Sequence, residues 1–132
     1  MGMPAAKQGD QVVGVDTHII LIPAAAGVPV PTPLPHPFSG ILQLGLSTDV
    51  MIMGMPAATQ DSEAINTPPH IPQGGSFSKP PSNKGKIMMG STTVKINGKM
   101  AARMGDPVIT CNDPVDLPVS KVIAAGTVFI GG

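Results

Sequence analysis

Apolar and polar positions alternate with period two in three short stretches of the chain. Val50 and Ile52 flank Met51, Val94 and Ile96 flank Lys95, and Val128 and Ile130 flank Phe129. Alternation of β-branched residues predicts strands, each with its Val and Ile on one face. A glycine follows each strand, at Gly54, Gly98 and either Gly131 or Gly132, where a tight turn needs positive φ. No stretch carries apolar residues at helical spacing, so almost no helix is expected.

The three stretches belong to one repeated phrase. It reads DVMIMGMPAA over 49–58 and TVKINGKMAA over 93–102. Its front half recurs as TVFIGG at 127–132, and its back half as GMPAA at 2–6. A phrase begun at one end of a chain and finished at the other predicts a closed ring of three units, with the two ends joined to complete the third. The pairs Ala5 and Ala6, Ala57 and Ala58, and Ala101 and Ala102 have little bulk, as a crowded pseudo-threefold axis requires. The expected architecture is all-β: one small, pseudo-threefold, β-prism-like domain of hairpins over 1–132, with long Pro/Gly-rich connectors.

Composition narrows this picture. Sixteen Gly and sixteen Pro in 132 residues approach a disordered composition, but 42% of residues are hydrophobic and only 12% charged, so the chain should collapse. With no Trp or Tyr and three Phe, the nine Met are expected to fill the core alongside Val, Ile and Leu. Net charge is zero, and the basic cluster Lys79, Lys84 and Lys86 is short, which disfavours a nucleic-acid partner. Residues 17–48 lack Asp, Glu, Lys and Arg, yet prolines at 23, 29, 31, 33, 35 and 37 would break a membrane-spanning helix. No secretory signal is visible at the start, so synthesis in the cytoplasm as a soluble protein is expected.

The connectors, about 11–47, 61–90 and 107–126, hold all the residues suited to soft-metal chemistry. His18 and His36 lie in the first, His70 in the second and Cys111 in the third. A threefold frame that sends its connectors to one end could bring them together. Three imidazoles and a thiolate suit a closed tetrahedral zinc site, although no CxxC or HxxxH pair is present. Satisfied histidines and a buried thiol fit the same residues. In the first connector, VPVPTPLPHP places proline at every second position, which forces extended or polyproline II backbone and makes a stiff wall carrying His36. No two of these prolines are three apart, so a PxxP ligand is not formed.

GMPAAKQGD at 2–10, GMPAATQD at 54–61 and NGKMAARMGDPV at 97–108, together with the TVxIxG strands, resemble the proline-alanine-alanine-arginine (PAAR) repeat family. No copy is perfect: Lys7 and Thr59 stand in place of the arginine, and Met100 replaces proline before Ala101, Ala102 and Arg103. The resemblance implies a non-enzymatic cone that caps a trimeric VgrG-like spike, one tip per trimer, in a type VI secretion system, extracellular injection particle or phage tail. It also implies one structural zinc held by His18, His36, His70 and Cys111 near the vertex. Assembly on an injection particle, transient contact with a target membrane and carriage of effector cargo would follow. Candidate docking residues are Val50, Ile52, Val94, Ile96, Val128 and Ile130, or their neighbours Met51, Lys95 and Phe129. Two other readings stay open: a zinc hydrolase with Asp16 or Asp113 as general base and Cys111 uninvolved, and an adaptor that binds cargo through its proline-rich connector.

Overall fold

The computed structural model describes residues 2–25 and 27–131, and these are all-β with no helix. Gly132, one of the two glycines considered for the third turn, lies outside the described residues. Short β1 (Met3–Pro4) is followed by the first connector, which folds into long strands β2 (Gln11–Ile22) and β3 (Val30–Leu44). The next phrase makes β4 (Met51–Ile52) and β5 (Met55–Pro56), and the second connector makes β6 (Glu63–Asn66), β7 (Ser76–Phe77) and β8 (Lys84–Ile87). The third phrase makes β9 (Lys95–Ile96) and β10 (Lys99–Met100), and the last connector makes β11 (Pro107–Thr110) and β12 (Leu117–Ile123) before β13 (Phe129–Ile130). The longest strands therefore lie in the connectors, where glycine and proline mask the strand signal.

Six connector strands pair antiparallel in the order β12, β11, β8, β6, β3, β2, and β12 returns to β2 to close a barrel. Closure pairs both edges of each strand where the six overlap. Val12, Phe38, Leu42, Ala64, Ile87, Val108 and Val122 fill its interior. Phe38 is the large side chain of that layer, and it fits because glycines face it. A Cβ on Gly40 would lie 2.9 Å from Phe38 Cε1, and one on Gly85 would lie 3.3 Å from Phe38 Cζ.

The prolines of β3 are extended, as their spacing requires, and they make the strand one-sided. β3 pairs with β2 from Ile22↔Val30 to Gln11↔Ile41, whereas β6 joins its other edge only from Gly40 onward. Pro31, Pro33, Pro35 and Pro37 are exposed along the stretch that β6 does not cover. Without N–H groups, these positions leave fewer free donors for an additional strand to use.

The three phrases form hairpins at the opposite end: β4 with β5, β9 with β10, and β1 with β13 across the chain ends, where Met3 faces Ile130. The turns Met53–Gly54 and Asn97–Gly98 have φ of 52° and 82°, and of 54° and 80°, two successive positive values that match the strand twist. The alanines close the ring. Ala6 N–H donates to Ala102 O at 2.9 Å, Ala102 N–H to Ala58 O at 3.1 Å and Ala58 N–H to Ala6 O at 3.0 Å. All six paired alanines are buried, since a larger side chain would collide with its counterparts.

The hairpins bury Ile52, Ile96 and Ile130 against Ala5, Ala57 and Ala101. Val50, Val94 and Val128 are exposed, as are Met51, Lys95 and Phe129. The methionines do not fill the core as expected, among the described residues; Met1 lies outside them. Met3, Met51, Met53, Met55 and Met89 are exposed, and Met88, Met100 and Met104 are partly covered. The interior around a threefold axis is too narrow for long side chains, so alanine and β-branched residues occupy it.

Candidate metal centre

The inner face of the barrel changes character along its length. On β2 the inward positions run Val12, Gly14, Asp16, His18 and Ile20, and on β3 they run Leu42, Gly40, Phe38 and His36. Period-two alternation therefore places Asp16, His18 and His36 in the same interior, beyond the apolar layer. His70, in the loop after β6, and Cys111, just after β11, complete the cluster. Asp16, His18, His36 and Cys111 are buried, and the His70 side chain is only 3% exposed.

The three imidazole rings meet pairwise, with centroids 4.9 Å apart for His18 and His70, 5.2 Å for His18 and His36, and 5.3 Å for His36 and His70. Phe77 packs on His18 and His36 on one side, and Phe38 packs on His70 on the other. The donor atoms are more selective than the rings. One ligand atom each from Asp16, His18, His70 and Cys111 lies within 4.8 Å of the others, a group that could hold a metal ion. His36 instead turns Nδ1 to Leu34 O at 3.0 Å and Nε2 to Ile71 O at 3.2 Å.

Asp16, considered from sequence only as a general base, is thus central to the cluster. Its Oδ1 accepts from the Thr110 hydroxyl and from Asn112 Nδ2 at 3.3 Å. Its Oδ2 lies 2.9 Å from His70 Nε2 and 3.6 Å from Cys111 Sγ. The hydrogen bonds also identify the His70 tautomer. Asn66 Oδ1 accepts from Ser39 N–H at 2.9 Å, so Asn66 Nδ2 donates to His70 Nδ1 at 3.1 Å and the His70 proton sits on Nε2, facing Asp16. The sequence signal for Asp16 was its two-residue spacing from His18 on one strand face.

Asp113, the other candidate base, packs alongside the same strand, with Oδ2 3.6 Å from His18 Nδ1. Burial lowers the His18 pKa from its usual value, with His70 adding to the shift and Asp113 opposing it. Burial first, and the Asp16 carboxylate second, push the Cys111 thiol up to about 11. A cavity of about 120 Å³ lined by His18, Cys111, Asp113, Lys79, Ser82 and Asp116 leads to the cluster.

The donor set fits a soft divalent metal. A tetrahedral ion with bonds of about 2.0–2.3 Å separates its ligands by roughly 3.3–3.8 Å. Cys111 Sγ lies 3.7 Å from His18 Nε2. The pair therefore already stands at ligand spacing.

The residues after each alanine pair explain a further part of the repeat. Lys7 N–H donates to Asp10 Oδ2 at 3.0 Å, and Arg103 N–H to Asp106 Oδ2 at 2.6 Å. In the second unit Thr59 N–H donates to Ser62 Oγ at 2.9 Å, so Ser62 does the work of the aspartate. Sequence reading missed Ser62, although it stands five positions after Ala57, as Asp10 does after Ala5. Arg103 also reaches Asp106 Oδ1 with Nη2 at 3.2 Å and Gly131 O with Nη1 at 3.1 Å, which ties the end of β13 to the third unit.

Among the described residues no helix is long and apolar enough to cross a membrane. No curated protein matches the sequence. The PAAR motif matches it over residues 22–115 and 77–132. With three alanine-paired units closed around one axis and a matching sequence pattern over most of its length, this chain belongs to the PAAR motif family, the spike-tip proteins of contractile injection systems.

Proposed function

We propose that this chain is a structural tip, one copy of which caps a trimeric VgrG-like spike and is driven through a target membrane when the injection machine fires. The observation that carries this reading is the hydrogen-bonded ring of Ala6, Ala102 and Ala58, a threefold backbone cycle made by a single chain. A trimer ends in three identical edges, and three equivalent hairpins on one chain can meet them all alike. Those hairpins expose apolar surface at Met3, Val50, Met51, Met53, Met55, Val94, Val128 and Phe129. Such a patch on a small protein suits a partner surface. The full chain acts as one domain, its third repeat completed by joining the two ends.

Zinc is the metal we assign to the cluster, with His18, His70 and Cys111 as ligands. Two residues compete for the fourth position. Asp16 has an oxygen among the donors and, with the Cys111 thiolate, would balance the charge of a buried dication. His36 has its ring against the cluster and would ligate after releasing a backbone carbonyl. With a fourth protein ligand from either residue, the ion cross-links strands far apart in sequence and stiffens the end away from the hairpins. A closed set of this kind supports a structural rather than a hydrolytic role, since hydrolysis needs an open position for water.

The test mixes the purified protein with its trimeric spike and measures stoichiometry by mass and metal by elemental analysis. One chain and one zinc per trimer are expected. Three chains per trimer would overturn the tip reading, and a folded sample that takes up no zinc when zinc is supplied would overturn the zinc assignment. X-ray absorption of the zinc-loaded protein counts the imidazoles: two favour Asp16 as fourth ligand, and three favour His36.

A further inference from the structure

His18 is bracketed by one residue of the last connector. Asp113 N–H donates to Thr17 O at 2.9 Å, and Asp113 Oδ2 accepts from Ile19 N–H at 2.9 Å, so this residue is bonded on both sides of His18. Asn112 Oδ1 adds a bond from Thr17 N–H at 2.6 Å. The carboxylate is thereby held beside the imidazole, with Oδ2 3.6 Å from Nδ1. Among the described residues, His18 Nδ1 and Asp113 Oδ1 are the buried side-chain polar atoms that lack a hydrogen-bond partner. An unmet imidazole nitrogen out of water is costly, and the nearby acceptor is Asp113 Oδ2, which accepts from Ile19 N–H and has a second lone pair to offer.

We propose that Asp113 is a positioning residue that holds the proton of neutral His18 on Nδ1, so that the Nε2 lone pair is free beside Cys111 Sγ. A neutral imidazole has one N–H, and a carboxylate can only accept, so the proton belongs on the nitrogen that faces Asp113. At 3.6 Å the contact is longer than a hydrogen bond, and a shift of a few tenths of an ångström completes it. The Nε2 atom, 3.7 Å from Cys111 Sγ, then presents its lone pair where a metal would sit. A carboxylate behind a ligating histidine fixes both ring orientation and basicity. His70 has the opposite arrangement, because Asn66 donates to its Nδ1. The two rings thus differ in tautomer because their outer partners differ in hydrogen-bonding sense.

The tautomer is independent of the metal assignment, while the affinity consequence rests on it. Long-range ¹H–¹⁵N correlation spectra of metal-free, histidine-labelled protein report the tautomer directly. Wild type is expected to show His18 protonated at Nδ1, and an Nε2–H signature would overturn the proposal. Asp113→Ala removes the acceptor beside Nδ1, so the His18 proton is expected to lose its preference for that nitrogen and the Nε2–H form to rise. An unchanged tautomer in a folded Asp113→Ala would equally refute it. In competition titrations the variant should bind zinc about 10- to 100-fold more weakly, with cobalt absorption bands at unchanged wavelengths because the inner ligands are the same. Unaltered zinc affinity would overturn the positioning role. A wild type that shows the Nδ1–H tautomer but binds no zinc would instead remove the metal assignment and leave the tautomer assignment standing.

Discussion

His70 Nε2 lies 2.9 Å from Asp16 Oδ2, although the two residues are 54 positions apart and Asp16 is fully buried. The carboxylate is held in place by Thr110 and Asn112 as well, so the metal-free end of the barrel has its own polar network. Removing the carboxylate strands several buried donors. Asp16→Ala is expected to destabilise the metal-free protein by about 2–4 kcal/mol, read by urea denaturation in the presence of a chelator. A loss below about 0.5 kcal/mol would show that the network contributes little to the metal-free fold.

Cys111→Ser separates metal stabilisation from packing. Loading zinc must displace the thiol proton, and a hydroxyl is a far poorer ligand. The variant is expected to fold, to lose tight zinc binding and to lose the rise in thermal midpoint that zinc gives wild type. A serine variant that gains as much stability from zinc as wild type would exclude Cys111 as a ligand.

The metal-free protein should be most stable between two pH limits. The His18 pKa is lowered by folding, so its contribution is complete above the unfolded value of 6.5 and declines as pH falls below it. The Cys111 pKa is raised from 9.0 to about 11, so its contribution is complete below 9.0 and is lost as pH rises toward 11. Denaturation midpoints measured in chelator from pH 5 to pH 11 should fall at both ends. A flat profile would show that neither group is held as the structure indicates.

Enlarging the alanine ring should be costly at every copy. Ala6→Val, Ala58→Val and Ala102→Val each force a side chain into a fully packed axis, at about 1–3 kcal/mol apiece. Similar losses at the three sites, measured by denaturation, would reflect the threefold equivalence. One tolerant site would locate a gap in the ring.

The hairpin face is the place to disrupt docking without disturbing the fold. Met51→Glu and Phe129→Glu alter exposed positions, so stability should change by less than about 0.5 kcal/mol. Each is expected to weaken spike binding about tenfold or more, because a charge would be buried in an apolar contact. Unchanged binding in both variants would move the docking surface elsewhere.

Much of this architecture is determined by local sequence. The split phrase predicts that Met3 and Ile130 become neighbours, the small alanines predict a crowded axis, and Asn97–Gly98 predicts a tight turn. These features are legible because each depends on a few adjacent residues and a fixed backbone geometry. Alternating prolines likewise dictate an extended strand in β3.

Only the tertiary structure decided which side of each hairpin is outermost. Alternation groups Val50 with Ile52 but does not reveal that Ile52 packs on Ala57 while Met51 and Met53 face outward. Composition suggested a methionine core, whereas the narrow axis excludes long side chains. The candidate metal residues were visible as an inventory of His and Cys, yet their roles were not. Closure of six strands sets Asp16 among His18, His70 and Cys111, and turns both His36 nitrogens toward backbone carbonyls. Such choices depend on angles and distances between strands that are remote in sequence, and no local pattern of residues contains them.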